Sequence, residues 1–209
     1  MIRILLVDDH PVVRHGIRQI LLEGLKDVTV GEASDVPTAA AQIRSAIWDV
    51  VVLDLTLPGA SGLELLKEIR RDRPSLPVLV LSMHPATQFA RRVLAAGASG
   101  YLTKDSAATD LVDAIEQIRR GRLYLGGQVP NWARTPTAIN TAPHDKLSDR
   151  EYQVLRMLGS GLTVSEIAVA CSLSVKTVST YRARLLDKLE MHSNAELMRY
   201  AIENNLMDS

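Results

Sequence analysis

One cysteine, no net charge and no long apolar run mark this chain, and each closes off a class of function. Cys171 is the sole cysteine among 209 residues, so no disulfide can form within the chain, as suits a reducing compartment. No pattern of activating neighbours accompanies it, and it reads as a small, buried helix residue rather than a nucleophile. Lys and Arg total 24 against 24 for Asp and Glu. Bulk charge therefore gives no pull toward a polyanion, and any nucleic-acid surface must be local. No stretch approaches the roughly 20 apolar residues that span a bilayer. The first residues lead straight into an apolar strand that ends in two acids, without the pattern of a signal peptide. A soluble, cytoplasmic protein of one or two domains is expected.

What the chain does have is alternation. Up to about residue 121, Val/Leu-rich runs at 2–7, 28–33, 49–54, 77–82 and 100–103 are separated by longer amphipathic stretches. These lie near 11–24, 36–46, 62–72, 86–96 and 106–120. Near-continuous apolar strands divided by helices predict an α/β domain over 1–121, with a five-stranded parallel sheet covered on both faces. Residues 122–145 carry Gly126, Gly127, Pro130, Pro136 and Pro143 without a sustained period. They read as a linker, with some order near Trp132.

Residues 146–209 are helical throughout. Ser148-Asp149-Arg150-Glu151 has the form of a capping box, in which a hydroxyl accepts from an early N–H and the Glu returns to the cap. Thr163-Val164-Ser165-Glu166 and Ser193-Asn194-Ala195-Glu196 repeat the signature. Gly159 and Gly161 end the first helix. Ser172-Leu173-Ser174 breaks the chain before a long helix from Val175 to Leu189. Four helices with a short break between the second and third suit a helix-turn-helix unit.

Polar residues stand at four of the five predicted strand ends, where open α/β sheets bind ligands. Asp8 and Asp9 end the first apolar run, and Asp54 ends the third, just before a Pro58-Gly59 turn. Ser82 ends the fourth, and Lys104 follows the fifth. Singly, each has an ordinary reading: a strand-end Asp is usually a turn or cap residue, and a lysine a solvated one. Together they form a constellation that core packing does not require. Clustered acids repel and call for a cation; oxygen ligands alone favour a hard ion such as Mg²⁺. Such an ion would leave the Asp54 carboxylate free to attack an incoming phosphoryl group. Lys104 would then supply charge, and Ser82 a hydrogen bond, to phosphate oxygens.

Residues 2–121 resemble a bacterial response-regulator receiver domain. The resemblance rests on Leu5-Leu6-Val7-Asp8-Asp9-His10, Val52-Leu53-Asp54-Leu55, Leu81-Ser82-Met83 and Gly100-Tyr101-Leu102-Thr103-Lys104. It implies a flavodoxin-like (βα)5 fold with Asp54 as phosphoacceptor, Ser82 as switch hydroxyl and Tyr101 as switch aromatic. It also implies Mg²⁺ held by Asp9, Asp54 and the Thr56 carbonyl, with Asp8 assisting. Where many receivers carry proline after the lysine, with a cis peptide, this chain has Asp105. A cis bond without proline costs about 2.5–4 kcal/mol. A phosphatase of the haloacid-dehalogenase type also uses a strand-end Asp with Mg²⁺. It wants a second Asp two residues on, and here Thr56 takes that place.

In the long C-terminal helix Val178, Leu185 and Leu189, flanked by Val175 and Leu186, form an apolar stripe. Lys176, Ser179, Thr180 and Ala183 lie opposite, with Thr177 and Arg184 at the edge. Small and hydroxyl side chains let a helix approach base edges while cations meet phosphates. Residues 145–209 hold eight Lys/Arg and nine Asp/Glu, a net of −1, yet 174–188 set four cations, Arg182 and Lys188 included, against Asp187. That leaves +3 where a recognition helix needs it. Residues 147–207 resemble the LuxR-type helix-turn-helix through Leu147-Ser148-Asp149-Arg150-Glu151, Ile167-Ala168 and Lys176-Thr177-Val178-Ser179-Thr180-Tyr181. The resemblance puts Ser179, Thr180 and Ala183 in the major groove and Lys176, Thr177 and Arg184 near the backbone. Arg182 falls on the apolar stripe, where its stem packs and its head snorkels out.

Across both domains the chain resembles the NarL/FixJ class of response regulators. The implied function is transcriptional regulation switched by phosphorylation, not enzymatic turnover of other substrates. Implied partners are a sensor histidine kinase, promoter DNA, RNA polymerase and a second copy of the chain. Leu197, Tyr200 and Ala201 on the last helix offer a dimer face. A DNA binder independent of phosphorylation, using the first domain only to dimerise, is the alternative of a different class.

Overall fold

Strands form where the Val/Leu runs lie. The computed structural model describes residues 1–57, 62–83, 86–126, 143–171, 173–204 and 206. β1 (Ile2–Val7), β2 (Val28–Ala33), β3 (Val50–Asp54), β4 (Val78–Ser82) and β5 (Gly100–Thr103) pair in parallel. β3 and β4 are buried at every position, which is why they read as unbroken apolar runs up to Asp54 and Ser82. Between the strands run α1 (Pro11–Gly24), α2 (Val36–Ser45), α3 (Gly62–Asp72), α4 (Ala86–Ala95) and α5 (Ala107–Arg119). Ile4, Leu6, Val52, Leu79, Leu81 and Leu102 share one core with Ile17 and Leu21 of α1 and Leu111 and Ile115 of α5. The alternate residues Leu5, Val51, Val80 and Tyr101 are equally buried and by strand period serve the opposite face.

The sheet has a sixth strand that the sequence did not suggest. β6 (Tyr124–Leu125) extends the order to β2-β1-β3-β4-β5-β6, with Tyr124 opposite Gly100 and Leu125 opposite Tyr101. The start of the expected linker is therefore sheet edge. Two residues are too few to show a period; the open side of β5 recruits them. The Pro58-Gly59 turn, linker residues 127–142 with Trp132, and Ser172 lie outside the described residues.

From β1 the chain steps outward to β2, then returns across β1 to β3. This reversal puts the carboxyl ends of β1 and β3 side by side at a topological switch point.

The chain divides into two compact units, 1–139 and 140–209. The second contains a 3-10 turn at Pro143–Lys146, then α6 (Asp149–Gly159), α7 (Val164–Ala170), α8 (Val175–Lys188) and α9 (Asn194–Glu203). Ser148 and Thr163 each close a full capping box. At Ser193 the hydroxyl caps Glu196 N–H, but the Glu196 carboxylate accepts from the His192 N–H at 2.8 Å and from the Ser193 hydroxyl at 3.1 Å, not from the backbone N–H of the cap. The third expected box is thus half a box. Past α6, Gly161 at φ +87° donates to Leu158 O and Leu162 to Met157 O. This is a Schellman ending that needs a left-handed residue.

The expected dimer face fails in this unit. Leu197 and Ala201 are fully buried, and the Tyr200 hydroxyl sits 2.8 Å from His144 Nδ1. Leu197 and Ala201 pack where α9 meets α6, so these two are core and not a dimer face, while Tyr200 is half-buried. Cys171 is half-buried at the end of α7, with Sγ 3.6 Å from Met157 Sδ. Burial pushes its thiol above the usual value, away from the thiolate that a nucleophile needs. Among the described residues no helix is long and apolar enough to cross a membrane.

Candidate functional site

β1 and β3 run in register from Ile4–Val50 to Val7–Leu53, so Asp8 and Asp54 emerge together at the switch point. They are 1% and 2% exposed. Ligand atoms of Asp8, Asp9, His10 and Asp54 lie within 4.8 Å of one another. Lys104, arriving from the end of β5, reaches both buried acids: its Nζ is 2.7 Å from Asp8 Oδ2 and 2.6 Å from Asp54 Oδ2. The Lys104 N–H also donates to Ser82 O at 2.8 Å, tying the lysine to the strand end that carries the buried Ser82 hydroxyl. Tyr101 is fully buried within β5. The peptide bonds, Lys104–Asp105 among them, are trans throughout the described residues.

Burial pushes the Asp54 carboxyl above its usual value, against the pull of Lys104 and the Thr56 N–H; the charge on Asp8 adds to the rise. Burial also opposes the charge on Lys104, but Asp54 and Asp8 together outweigh it and hold its pKa above the ordinary lysine value. One ammonium cannot neutralise three carboxylates. Asp8 is committed through both oxygens, to the His10 N–H and to Lys104. Asp54 is committed likewise, to the Thr56 N–H at 3.0 Å and to Lys104. Asp9 Oδ1 is different: among the described residues it is a buried carboxylate oxygen with no hydrogen-bond donor aimed at it. His10 Nδ1 stands 2.8 Å away without that alignment. An orphaned carboxylate oxygen beside two further acids, all hard oxygen donors, fits Mg²⁺.

Two supporting residues escaped the sequence reading. A Cβ on Gly62 would lie 2.4 Å from Asp54 O and 2.7 Å from Leu55 Cα, so only glycine lets the start of α3 close over the end of β3. The hint in the sequence was a glycine opening a helix. Arg14, one turn into α1, donates from Nη1 to Asp8 O at 2.7 Å and pairs with Glu32. Nothing in its spacing announces that.

In the second unit, α8 buries Val178 and Leu185 and exposes Lys176, Ser179, Thr180, Ala183 and Arg184 on one face, with Thr177 half-buried at its edge. Two residues expected there are otherwise engaged. Lys188 Nζ pairs at 2.7 Å with the Glu151 carboxylate, which is 2% exposed, and the half-buried Arg182 donates to Asn194 Oδ1. Lys188 is thus offset by Glu151, while Arg182 keeps its charge but is held at Asn194, and the exposed cations of this face are Lys176 and Arg184.

Comparison with known proteins agrees on both units. The family "Response regulator receiver domain" matches residues 4–116, and "Bacterial regulatory proteins, luxR family" matches 145–201. The response regulator UvrY of Escherichia coli (strain K12) is 36% identical over 100% of this chain and 97% of its own length. The response regulator GacA of Pseudomonas viridiflava is 35% identical over 100% of this chain and 99% of its own. A solved structure of RcsB from Salmonella enterica serovar Typhimurium, bound to promoter rprA with the phosphomimetic BeF3-, matches with a TM-score of 0.58. Its identity is 30%, over 96% of this chain and 98% of that one. The chain belongs to the response regulators of the NarL/FixJ class, a receiver domain joined to a LuxR-type helix-turn-helix. Its function is that of a DNA-binding transcriptional regulator.

Proposed function

We propose that Asp54 accepts a phosphoryl group from a phosphohistidine on a sensor histidine kinase, and that this modification governs the grip of α8 on promoter DNA. The observation that carries the reading is a strand-end carboxylate, almost sealed from water, already bridged to Asp8 by Lys104. An Asp54 carboxylate oxygen, released from its present hydrogen bond, would form the new P–O bond; the P–N bond breaks, and its electron pair returns to the imidazole. Asp9, Asp54 and the Thr56 carbonyl would hold Mg²⁺, with Asp8 beside them. The ion would offset the charge of the incoming phosphoryl group. Lys104 then exchanges carboxylate for phosphoryl oxygen, and Ser82, on the adjoining strand end, adds a hydroxyl contact. Tyr101, buried beneath, answers by repacking and biases the outer helices. The chemistry is confined to Asp54 itself, its phosphorylation and dephosphorylation, with no turnover of other substrates.

Lys176, Thr177 and Arg184 would meet phosphates, and Ser179, Thr180 and Ala183 the base edges. The RcsB complex with promoter DNA and a phosphomimetic supports both halves of the proposal. A phosphorylated homodimer reading two half-sites in the cytoplasm, with RNA polymerase as its downstream partner, completes it. Asp54→Asn should remain folded and take no label from acetyl phosphate; normal labelling would refute the site.

A further inference from the structure

The LuxR-type resemblance puts Thr180 in the major groove, where its hydroxyl could meet a base edge, but the structure uses that hydroxyl elsewhere. Its Oγ1 donates to Lys176 O, one turn back on the same helix, at 3.0 Å. A threonine bonded in this way turns its oxygen onto the helix and leaves the γ-methyl as its outward group. Thr180 is exposed, as is Ala183 three residues on. Side chains at this spacing are neighbours, with Cβ atoms about 5–6 Å apart. The centre of the exposed face of α8 is therefore a pair of methyl groups, with the cations Lys176 and Arg184 beside them. No long hydrogen-bonding side chain stands between.

We propose that Thr180 reads DNA through its methyl group, by packing against the C5-methyl of thymine, with Ala183 meeting a second thymine at a neighbouring step. The inference rests on the placement of α8 in the major groove proposed above. Thymine is the one base that presents a methyl there, and the flanking cations match a duplex rather than an apolar protein partner. Steps rise about 3.4 Å, so two methyls at the helix spacing suit thymines at adjacent or next-adjacent pairs. Guanine, which calls for a bidentate Arg or Lys, has no reader at the centre of this face.

The test uses the full chain activated with beryllofluoride and a duplex that it enriches from random-sequence DNA. Each thymine of that duplex is replaced in turn by deoxyuridine, which removes only the C5-methyl. The wild type should lose about threefold to fivefold at one or two positions, the worth of one buried methyl. Thr180→Ser keeps the hydroxyl and drops the methyl; it should bind the parent duplex about threefold to fivefold more weakly and be blind to deoxyuridine at the contacted position. Thr180→Val keeps the methyl and should match the wild type. Unchanged binding by Thr180→Ser with loss by Thr180→Val would overturn the inference, since the hydroxyl would then be the reader. So would indifference to every deoxyuridine, or an equal loss by Thr180→Ser on non-specific duplex. Failure of the wild type to enrich any sequence would instead remove the recognition-helix reading itself.

Discussion

Removing the Lys104 ammonium tests the pocket most directly. Lys104→Ala leaves Asp8 and Asp54 facing each other with no counter-charge, at side-chain exposures of 1% and 3%. With an effective dielectric near 20, each contact of 2.6–2.7 Å carries about 6 kcal/mol of attraction. Most of that only offsets the cost of taking three charges out of water. What truncation exposes is the uncompensated remainder, about 3–5 kcal/mol for a buried pair that loses one partner. The loss should depend on pH in a defined sense. Asp54 already has a raised pKa in the folded protein, so its ionisation costs stability as pH rises above the ordinary carboxyl value of 3.8 and through the folded value. Without Lys104 the Asp54 carboxyl loses the pull that opposes burial and is pushed further up. The variant should recover stability as pH falls from 8 toward 5, because protonation removes the repulsion. Lys104 itself contributes fully below 10.5 and loses its contribution only above that value, as pH climbs through its raised pKa. Urea unfolding followed by Trp48 fluorescence in a Trp132→Phe background reports on the N-terminal unit. With a slope of about 1–3 kcal/mol/M, the midpoint should drop by at least about 1 M at pH 7. Added Mg²⁺ should restore part of the loss in the variant, by supplying the missing charge. A loss below about 1 kcal/mol, or one that does not change between pH 5 and 8, would refute the electrostatic account.

Gly62→Ala should cost about 1–3 kcal/mol by overpacking against the backbone of Asp54 and Leu55, and slow acetyl-phosphate labelling; a fully stable variant labelled at the normal rate would contradict the close approach. Lys188→Met should destabilise the helical unit by about 1–2 kcal/mol, since Glu151 loses a partner but Lys188 is 40% exposed and water can replace it. Hydrogen bonds to Lys188 and Ser148 hold the Glu151 carboxyl below its usual value in spite of burial. That stability is present above the ordinary glutamate pKa and fades as pH falls through the lowered value, visible in thermal melts. Lys176→Ala and Arg184→Ala should each flatten the slope of log affinity against log salt by about 0.9; an unchanged slope in filter binding would exclude a phosphate contact. Leu197→Ala should cost about 2–5 kcal/mol as a cavity mutation, and a variant of full stability that merely fails to dimerise in ultracentrifugation would restore this residue to an interface.

The acidic pocket was legible because strand ends are legible. An unbroken apolar run that stops on Asp54 or Asp8 says where the chain leaves the core, and parallel strands deliver all such ends to one rim. The helix starts at Ser148 and Thr163 were equally plain, since a cap is made within four residues. The dimer face failed for a plain reason: helix periodicity shows that Leu197 and Ala201 share a stripe, but not whether the stripe meets another helix or another molecule.

Local patterning thus determined this protein's elements, its class and the acids at its centre, because those depend on residues close together in the chain. Folding alone decided the rest. The ammonium of Lys104 meets a carboxylate 96 residues away, a two-residue strand is captured by an open edge, and Lys188 is diverted from solvent to Glu151. Even the group that Thr180 shows outward follows from a rotamer fixed by a backbone oxygen. The first three are contacts across space whose partners the sequence order does not name; the Thr180 bond is local, but a helical threonine has two rotamers open to it.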